Sequence, residues 1–394
     1  MKRVLVIEAN NEGHKGFYLA LVLKALQPHH AITLMAPDWP ENFIHQFEEQ
    51  GVDINRIERF PLPSSRPEAI LEHTLDPRIK SQFDRFFIPF LDSFISPALN
   101  HLDRLPKLSG IWFHPHALDR RYAWFPPIDK RLRYRRRIHS RLQSFQASQT
   151  IEHLFFLTEE TIDACKRVNQ SIGSSLLPDP PEKKPALNRT EARLKFGIPQ
   201  DRVVFLHAGT SDRRKGLSET ITAYSQLIKD PEIAEKVLLV RIGKNHKLGA
   251  RDSRRLIRLE KTGSAIVNDS FLSSEDFLNY FSAASWVLLP YLKFRFSSGI
   301  LSNAIHANRR VIASNYGAIG SAVAQHELGM LYRHSSHRDY LAKLRASVQN
   351  GHCPESTREL RSSSQQEFIE GIRAALHRAD APPASTQRLK LALE

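Results

Sequence analysis

Short, uninterrupted apolar runs alternate along the chain with longer stretches of mixed polarity. Residues 3–8, RVLVIE, read as a buried strand, and a polar loop leads into an amphipathic helix carrying Leu19, Leu21, Val22, Leu23 and Leu26. A second strand is expected at 31–35. This strand, loop, helix, strand order with continuously apolar strands predicts a parallel sheet covered on both faces. Further strands are expected at 110–113 and 153–157, whereas 64–108, with its prolines and the segment FDRFFIPFLDSF, reads as packed helices. Pro178, Pro180, Pro181 and Pro185, mixed with charged residues, mark a linker at 179–190. The alternation then restarts, with strands expected at 202–208, 236–242, 265–267, 286–289 and 310–313. Helices fall at 217–227, 274–284 and 299–307, followed by a terminal helix at about 358–378 and a tail at 379–394.

Composition agrees with two α/β domains, 1–178 and 191–357, because 394 residues exceed what one core usually serves. With 41% hydrophobic and 25% charged residues the chain is of an ordinary globular type. Its charge is less ordinary. A formal net charge of +14 favours an anionic partner such as nucleic acid, an acidic membrane surface or a phosphorylated substrate. Residues 1–180 hold 23 basic and 21 acidic side chains and residues 181–394 hold 33 and 21, so the excess lies in the second half. One local cluster interrupts the first half: residues 120–141 contain nine Lys or Arg and a single acid, Asp129, interleaved with Tyr122, Trp124, Phe125 and Tyr134. That cluster suits an anionic membrane surface, or equally a solvated basic helix. No RNA-recognition motif accompanies it, which argues against nucleic acid.

The apolar runs are too short for a spanning helix or a signal segment, and the two cysteines, Cys165 and Cys353, lie in unrelated contexts. A cytoplasmic protein without a disulfide framework is expected. Eighteen histidines form no H-E-x-x-H pattern, so no metal site is expected.

Two features suit phosphate chemistry. The strand at 202–208 ends at Gly209, where a missing side chain permits close backbone approach, and Arg213, Arg214 and Lys215 follow before Gly216. Ser297, Ser298 and Gly299 precede an apolar helical run, and serines there would cap a helix whose N–H groups and dipole attract an anion. Taken singly, each reads as well as a solvated basic turn or an ordinary capped helix. In the first half, His114 and His116 follow a strand end, with Asp119 close behind. Such an edge is where α/β sheets bind ligands. The loop 10–16 holds Gly13, His14 and Lys15 but lacks the G-x-G-x-x-G spacing of a dinucleotide site.

In order, FGIPQDRVVFLHAGTSDRRKG, VLLVRIGKN, FLNYFSAASWVLLPY, SSGILSNAIHANRRVIASNYG and HELGML span roughly 191–332. This succession resembles the donor-binding domain of retaining GT-B glycosyltransferases, in particular the family-4 group (glycosyl transferases group 1). The first half resembles that family by architecture alone. The resemblance implies a GT-B fold, two Rossmann-like domains facing a cleft, with the terminal helix packing back on the first domain. It implies a retaining, metal-independent enzyme that needs no cofactor beyond a nucleotide-sugar co-substrate, UDP- or GDP-linked. Lys215 matches the family's phosphate-binding lysine. The arginine that usually follows the first glycine is Thr210 here, which leaves Arg213 to supply the second cation. Gly209, Ser297, Ser298, Gly299 and Ile300 would line the donor diphosphate, and Gly13 would face the donor across the cleft.

The family's two glutamates, separated by seven residues, fall here at Arg295 and Asn303. Asn303 could accept a ribose hydroxyl through its amide oxygen, more weakly than a carboxylate. Arg295 cannot accept, but it could pair with a sugar carboxylate or with phosphate. The donor is therefore an acidic sugar nucleotide, or turnover has been lost. His116 or His114 is expected to orient the transferred sugar, and His14, Lys15 and Asp119 to lie on the acceptor side, where a glycan, lipid-linked or small-molecule acceptor would bind. The rival reading is a catalytically silent GT-B domain serving as a binding or scaffold subunit.

Overall fold

A computed structural model gives the structure of the protein and describes residues 1–9, 15–37, 44, 47–101, 104–118, 128–143, 150–177, 179–180, 185–244, 248–270, 272–349 and 364–380. The chain divides into two units. One comprises residues 1–178 together with the C-terminal segment from Ser364, and the other residues 179–363.

The first unit is built on seven parallel strands: β1 (Lys2–Ile7), β2 (His30–Ala36), β3 (Ile57–Pro61), β4 (Arg85–Ile88), β5 (Lys107–Ile111), β6 (Ile151–Phe156) and β7 (Gly173–Leu176). Their spatial order is β3-β2-β1-β4-β5-β6-β7. Alternate residues of each strand feed opposite cores, so Leu5 and Ile7 join one cluster while Val4 and Val6 join the other. Three of these strands lie outside the sequence-based expectation, β3, β7 and β4. The last corrects the all-helical reading of 64–108. RFFI at 85–88 is fully buried beside β1 and β5, and a four-residue apolar run of this kind carries no periodicity that separates strand from helix.

Helix Lys15–Leu26 is buried at nine of its 12 positions, more than an amphipathic surface helix allows. The reason is the helix Gln365–Asp380, which covers its outer side with Phe368, Ile369, Ile372, Ala375 and Leu376. Arg373 fastens the two by donating to the carbonyl oxygens of Lys24 (2.9 Å) and Ala25 (3.2 Å) near the end of the first helix. At the amino edge of the sheet, buried Arg85 is neutralised by Glu152 (Nε to Oε2, 2.5 Å), which also receives Lys107 (3.2 Å).

The second unit repeats the plan with β8 (Val203–Ala208), β9 (Val237–Ile242), β10 (Ala265–Asn268), β11 (Trp286–Leu289), β12 (Val311–Ser314) and β13 (Gly329–Tyr332), in the order β10-β9-β8-β11-β12-β13. All pairings are parallel. Among the described residues no helix is long and apolar enough to cross a membrane.

Phe368 is fully buried although it lies near the end of the chain. Phe368→Ala is expected to destabilise the first unit by about 3–5 kcal/mol, read as a lower urea midpoint. An unchanged midpoint would show that the terminal helix is not an integral layer of this unit.

Candidate functional site

In an open parallel sheet the loops leaving neighbouring strands diverge where the strand order reverses, and the crevice outside the carboxyl ends there is the ligand position. In the second unit this point lies between β8 and β11. The loop after β8 begins at Gly209, which has φ +102°, and a Cβ there would overlap the Lys215 ammonium. The chain returns through a short turn, Arg213–Lys215, capped by Asp212, whose Oδ1 accepts the Arg214 N–H at 3.1 Å. The turn ends on Gly216 at φ +70°, where any side chain would collide with the Pro290 carbonyl after β11. Leu292 N–H donates to the Arg214 carbonyl oxygen at 2.7 Å. Two glycines and one backbone hydrogen bond therefore lock the two loops of the switch point together and hold Lys215 directly above the Gly209 backbone.

The three cations of the turn separate in role. Arg214 is held outside the crevice, paired with Asp212 (2.9 Å) and lying over the Phe294 ring at 4.6 Å. Arg213 is exposed. Lys215 alone turns inward, where burial, reinforced by Arg214 and Arg241 and opposed by Asp212, pulls its pKa down to about 8. A lysine in that condition gains a full charge and a counter-ion when an anion arrives. Beneath it, His207 on β8 lies beside Arg241 on β9 in register, and the His207 ring donates from Nε2 to the Lys215 carbonyl oxygen at 3.1 Å. Burial, with Arg241 second, lowers the His207 pKa to about 3.

The loop after β11 leads to helix Gly299–His306. Ser298 sits at its N-cap but does not cap it. Its hydroxyl pairs instead with the Tyr291 hydroxyl at 3.0 Å, which corrects the expectation that the serines close this helix. The helix thus starts without a side-chain cap, and the space that a Gly299 Cβ would occupy is open. Ile300 and Asn303 are buried, and Ser297 is half-buried. Ser302 reaches Asp179 at 3.2 Å, which ties the start of this unit to the same helix. Arg295 lies over the Tyr316 ring at 5.6 Å, and Tyr316 stacks on His334 at 4.4 Å. Gly317 is forced by the Arg295 backbone, whose Cα lies 2.6 Å from where a Cβ would be. An arginine, a tyrosine and a histidine therefore form one column beside the uncapped helix start.

In the first unit His114 and His116 follow β5. Asp92, which sequence reasoning did not single out, organises this edge. Its carboxylate accepts the N–H groups of Phe113 (3.2 Å) and His114 (2.6 Å), and it lies 3.4 Å from His114 Nδ1. His116 stacks on His114 with ring centroids 6.2 Å apart. Lys15 opens its helix with its ammonium 3.7 Å from the buried Glu8 carboxylate and 5.2 Å from the Phe90 ring centre. Gly13, His14 and Asp119 lie outside the described residues. Helix Ile128–Gln143, the described part of the basic 120–141 cluster, anchors through buried Ile138 and Leu142, and exposes Lys130, Arg133, Arg136, Arg137 and Arg141. Among the described residues no group of three or more His, Cys, Asp or Glu side chains is arranged to hold a metal ion.

No protein-family model and no curated protein sequence matches the chain. Solved structures match it over nearly its whole length. Sucrose-phosphate synthase from Thermosynechococcus elongatus covers 100% of each chain at a TM-score of 0.64 and 14% identity. Anabaena HepE in complex with UDP and glucose covers 100% of this chain and 99% of its own, at 0.61 and 11%. WaaG, a glycosyltransferase involved in lipopolysaccharide biosynthesis, covers 97% and 96%, at 0.59 and 15%. At such identities the likeness is one of fold, and it places the two parallel-sheet α/β units in the GT-B class.

The buried imidazole of His207 gives a pH signature. The unfolded chain binds a proton near pH 6.5, while the folded chain refuses it down to about 3. Stability is therefore complete above about pH 6.5 and falls as the pH drops toward 3, by roughly 1.4 kcal/mol per pH unit from this group. Urea unfolding between pH 7 and pH 4.5 is expected to show that slope, reduced in His207→Gln. Identical slopes in both proteins would overturn the assignment.

Proposed function

We propose that the protein is a glycosyltransferase that takes a sugar from a nucleotide-sugar donor bound in the second unit. The observation that carries this reading is the joined pair of loops at β8 and β11, with Lys215 over the Gly209 backbone and an uncapped helix at Gly299 leaving the second loop. A departing nucleoside diphosphate gains negative charge, and a fixed ammonium with backbone N–H donors is suited to that change. The likeness to HepE, whose solved complexes contain UDP, UDP and glucose, and UDP-glucose, supports the choice of donor class. In this reading Asn303 accepts a ribose hydroxyl, and Arg295 pairs with an anionic group of the donor sugar. His116 or His114, the latter held by Asp92, orients the transferred sugar. Transfer is retaining: the acceptor oxygen bonds to the anomeric carbon on the face that the phosphate oxygen leaves, and that oxygen takes the acceptor proton. No protein carboxylate need act as base.

The exposed cations of helix Ile128–Gln143 further suit an acceptor carried on an anionic lipid surface. Sedimentation with vesicles is expected to show binding to phosphatidylglycerol-containing but not neutral vesicles, lost at high salt and lost in the triple variant Arg133→Glu, Arg136→Glu, Arg141→Glu. Equal recovery from both vesicle types would remove the membrane from the proposal.

The donor site is tested by thermal shift and turnover. UDP or GDP in large excess over its dissociation constant is expected to raise the melting temperature, because a ligand selective for the folded state adds RT ln(1 + [L]/Kd) to stability. Lys215→Ala should abolish most of that shift. Transfer from UDP-glucuronate exceeding that from UDP-glucose would support the role given to Arg295. Nucleotide binding without hydrolysis or transfer from any sugar nucleotide would favour the silent binding subunit instead, and no shift with any nucleotide would refute the donor site.

A further inference from the structure

Among the described residues four arginines are buried, and three of them have evident structural partners. Arg85 faces the Glu152 carboxylate. Arg193 donates to the carbonyl oxygens of Ala283, Pro199 and Gln200 and to the Ser285 hydroxyl. Arg309 donates to the carbonyl oxygens of Phe281 and Ser282. Arg241 is different. It is fully buried at the carboxyl end of β9, its Nη1 reaches the carbonyl oxygen of the neighbouring Ile242, and among the described residues Nε and Nη2 have no acceptor. Asp269, the carboxylate acting on it, is exposed beyond β10 and forms no ion pair with it.

An unmatched buried guanidinium is costly, and native proteins pair such groups or assign them a ligand. A second cation, Lys215, lies within its reach. Arg241 lies beside His207 in the sheet and acts directly on the Lys215 ammonium, which sits over Gly209. Gly243, immediately after β9, has φ +104°, and a Cβ there would come within 2.6 Å of the Gly209 carbonyl oxygen. The backbones leaving β8 and β9 therefore run close together just past the arginine, beside the loop that carries Lys215.

We propose that Arg241 is a positioning cation of the second unit, a fixed charge beneath Lys215 whose counter-charge is the diphosphate of the bound nucleotide. The proposal rests on the donor-site reading above and goes beyond it by assigning the second positive charge to the buried strand residue, not to the exposed Arg213. Arg241 acts through Lys215 and need not touch the ligand. The charged and titratable groups facing Lys215 are Arg214, Arg241, His207 and Asp212. With Arg241 present the lysine releases its proton near pH 8, so diphosphate affinity should decline as pH rises through 8.

The test is calorimetric binding of inorganic pyrophosphate, UDP and uridine to wild type, Arg241→Met, Arg241→Gln and Arg241→Lys, each with its melting temperature without ligand. Arg241→Met is expected to weaken pyrophosphate and UDP roughly tenfold or more and to leave uridine unchanged. Its unliganded melting temperature should stay equal or rise, because an uncompensated charge has been removed. The alkaline decline in affinity should move above pH 8, and Arg241→Lys should restore both affinity and pH profile. Arg241→Gln keeps a donor for the Ile242 carbonyl and takes the place of the Met variant if that one does not fold. Wild-type binding with unchanged pyrophosphate affinity in the neutral variants would overturn the inference alone. Failure of wild type to bind either diphosphate would overturn the donor site with it. If neither neutral variant folds, Arg241 is a structural cation and the inference is wrong.

Discussion

A parallel sheet buried on both faces leaves only its strand ends for polar chemistry, and this constraint governs both units. Most strand-interior positions are apolar, and charge is driven to the edges. At the amino edge of the first sheet charge is neutralised within the protein, as Arg85 is by Glu152. At the carboxyl edge of the second sheet Arg241 has, among the described residues, no acceptor for Nε and Nη2. The contrast between these edges, more than the total charge of the chain, supports the donor site proposed for the second unit.

Backbone geometry then decides which side chains reach that edge. Gly209, Gly216 and Gly243 all hold φ values that disfavour other residues, and each abuts another backbone or the Lys215 amine. The turn between them is short and rigid, so of three successive cations one points inward, one lies on an aromatic ring and one faces solvent.

Much of this was legible in the sequence, and the exceptions have physical causes. Apolar runs located β1, β8, β9 and β11, and the glycines that end β8 and β9 marked the loops that follow those two. RFFI at 85–88 and GMLY at 329–332 were missed: neither run is long enough to display a period, and the first sits in a stretch rich in aromatics and proline that reads as helix. The serines before Gly299 looked like caps, yet Tyr291 competes for Ser298 through a contact that only the folded chain creates. Asp92 was invisible for the same reason, since its partners lie about twenty residues away. Arg241 left a trace that could have been used: a single arginine inside VLLVRI, a strand expected to be buried on both faces.

The terminal helix gives the first unit an unusual order of assembly. Its core is closed by Phe368 and Ile372, which emerge from the ribosome only after the whole of residues 179–363. During synthesis the second unit has all its strands in hand while helix Lys15–Leu26 still has one bare apolar side. A segment made after the second unit therefore completes the unit begun before it, and until it arrives the nascent chain presents a sticky helix that chaperones would be expected to shield.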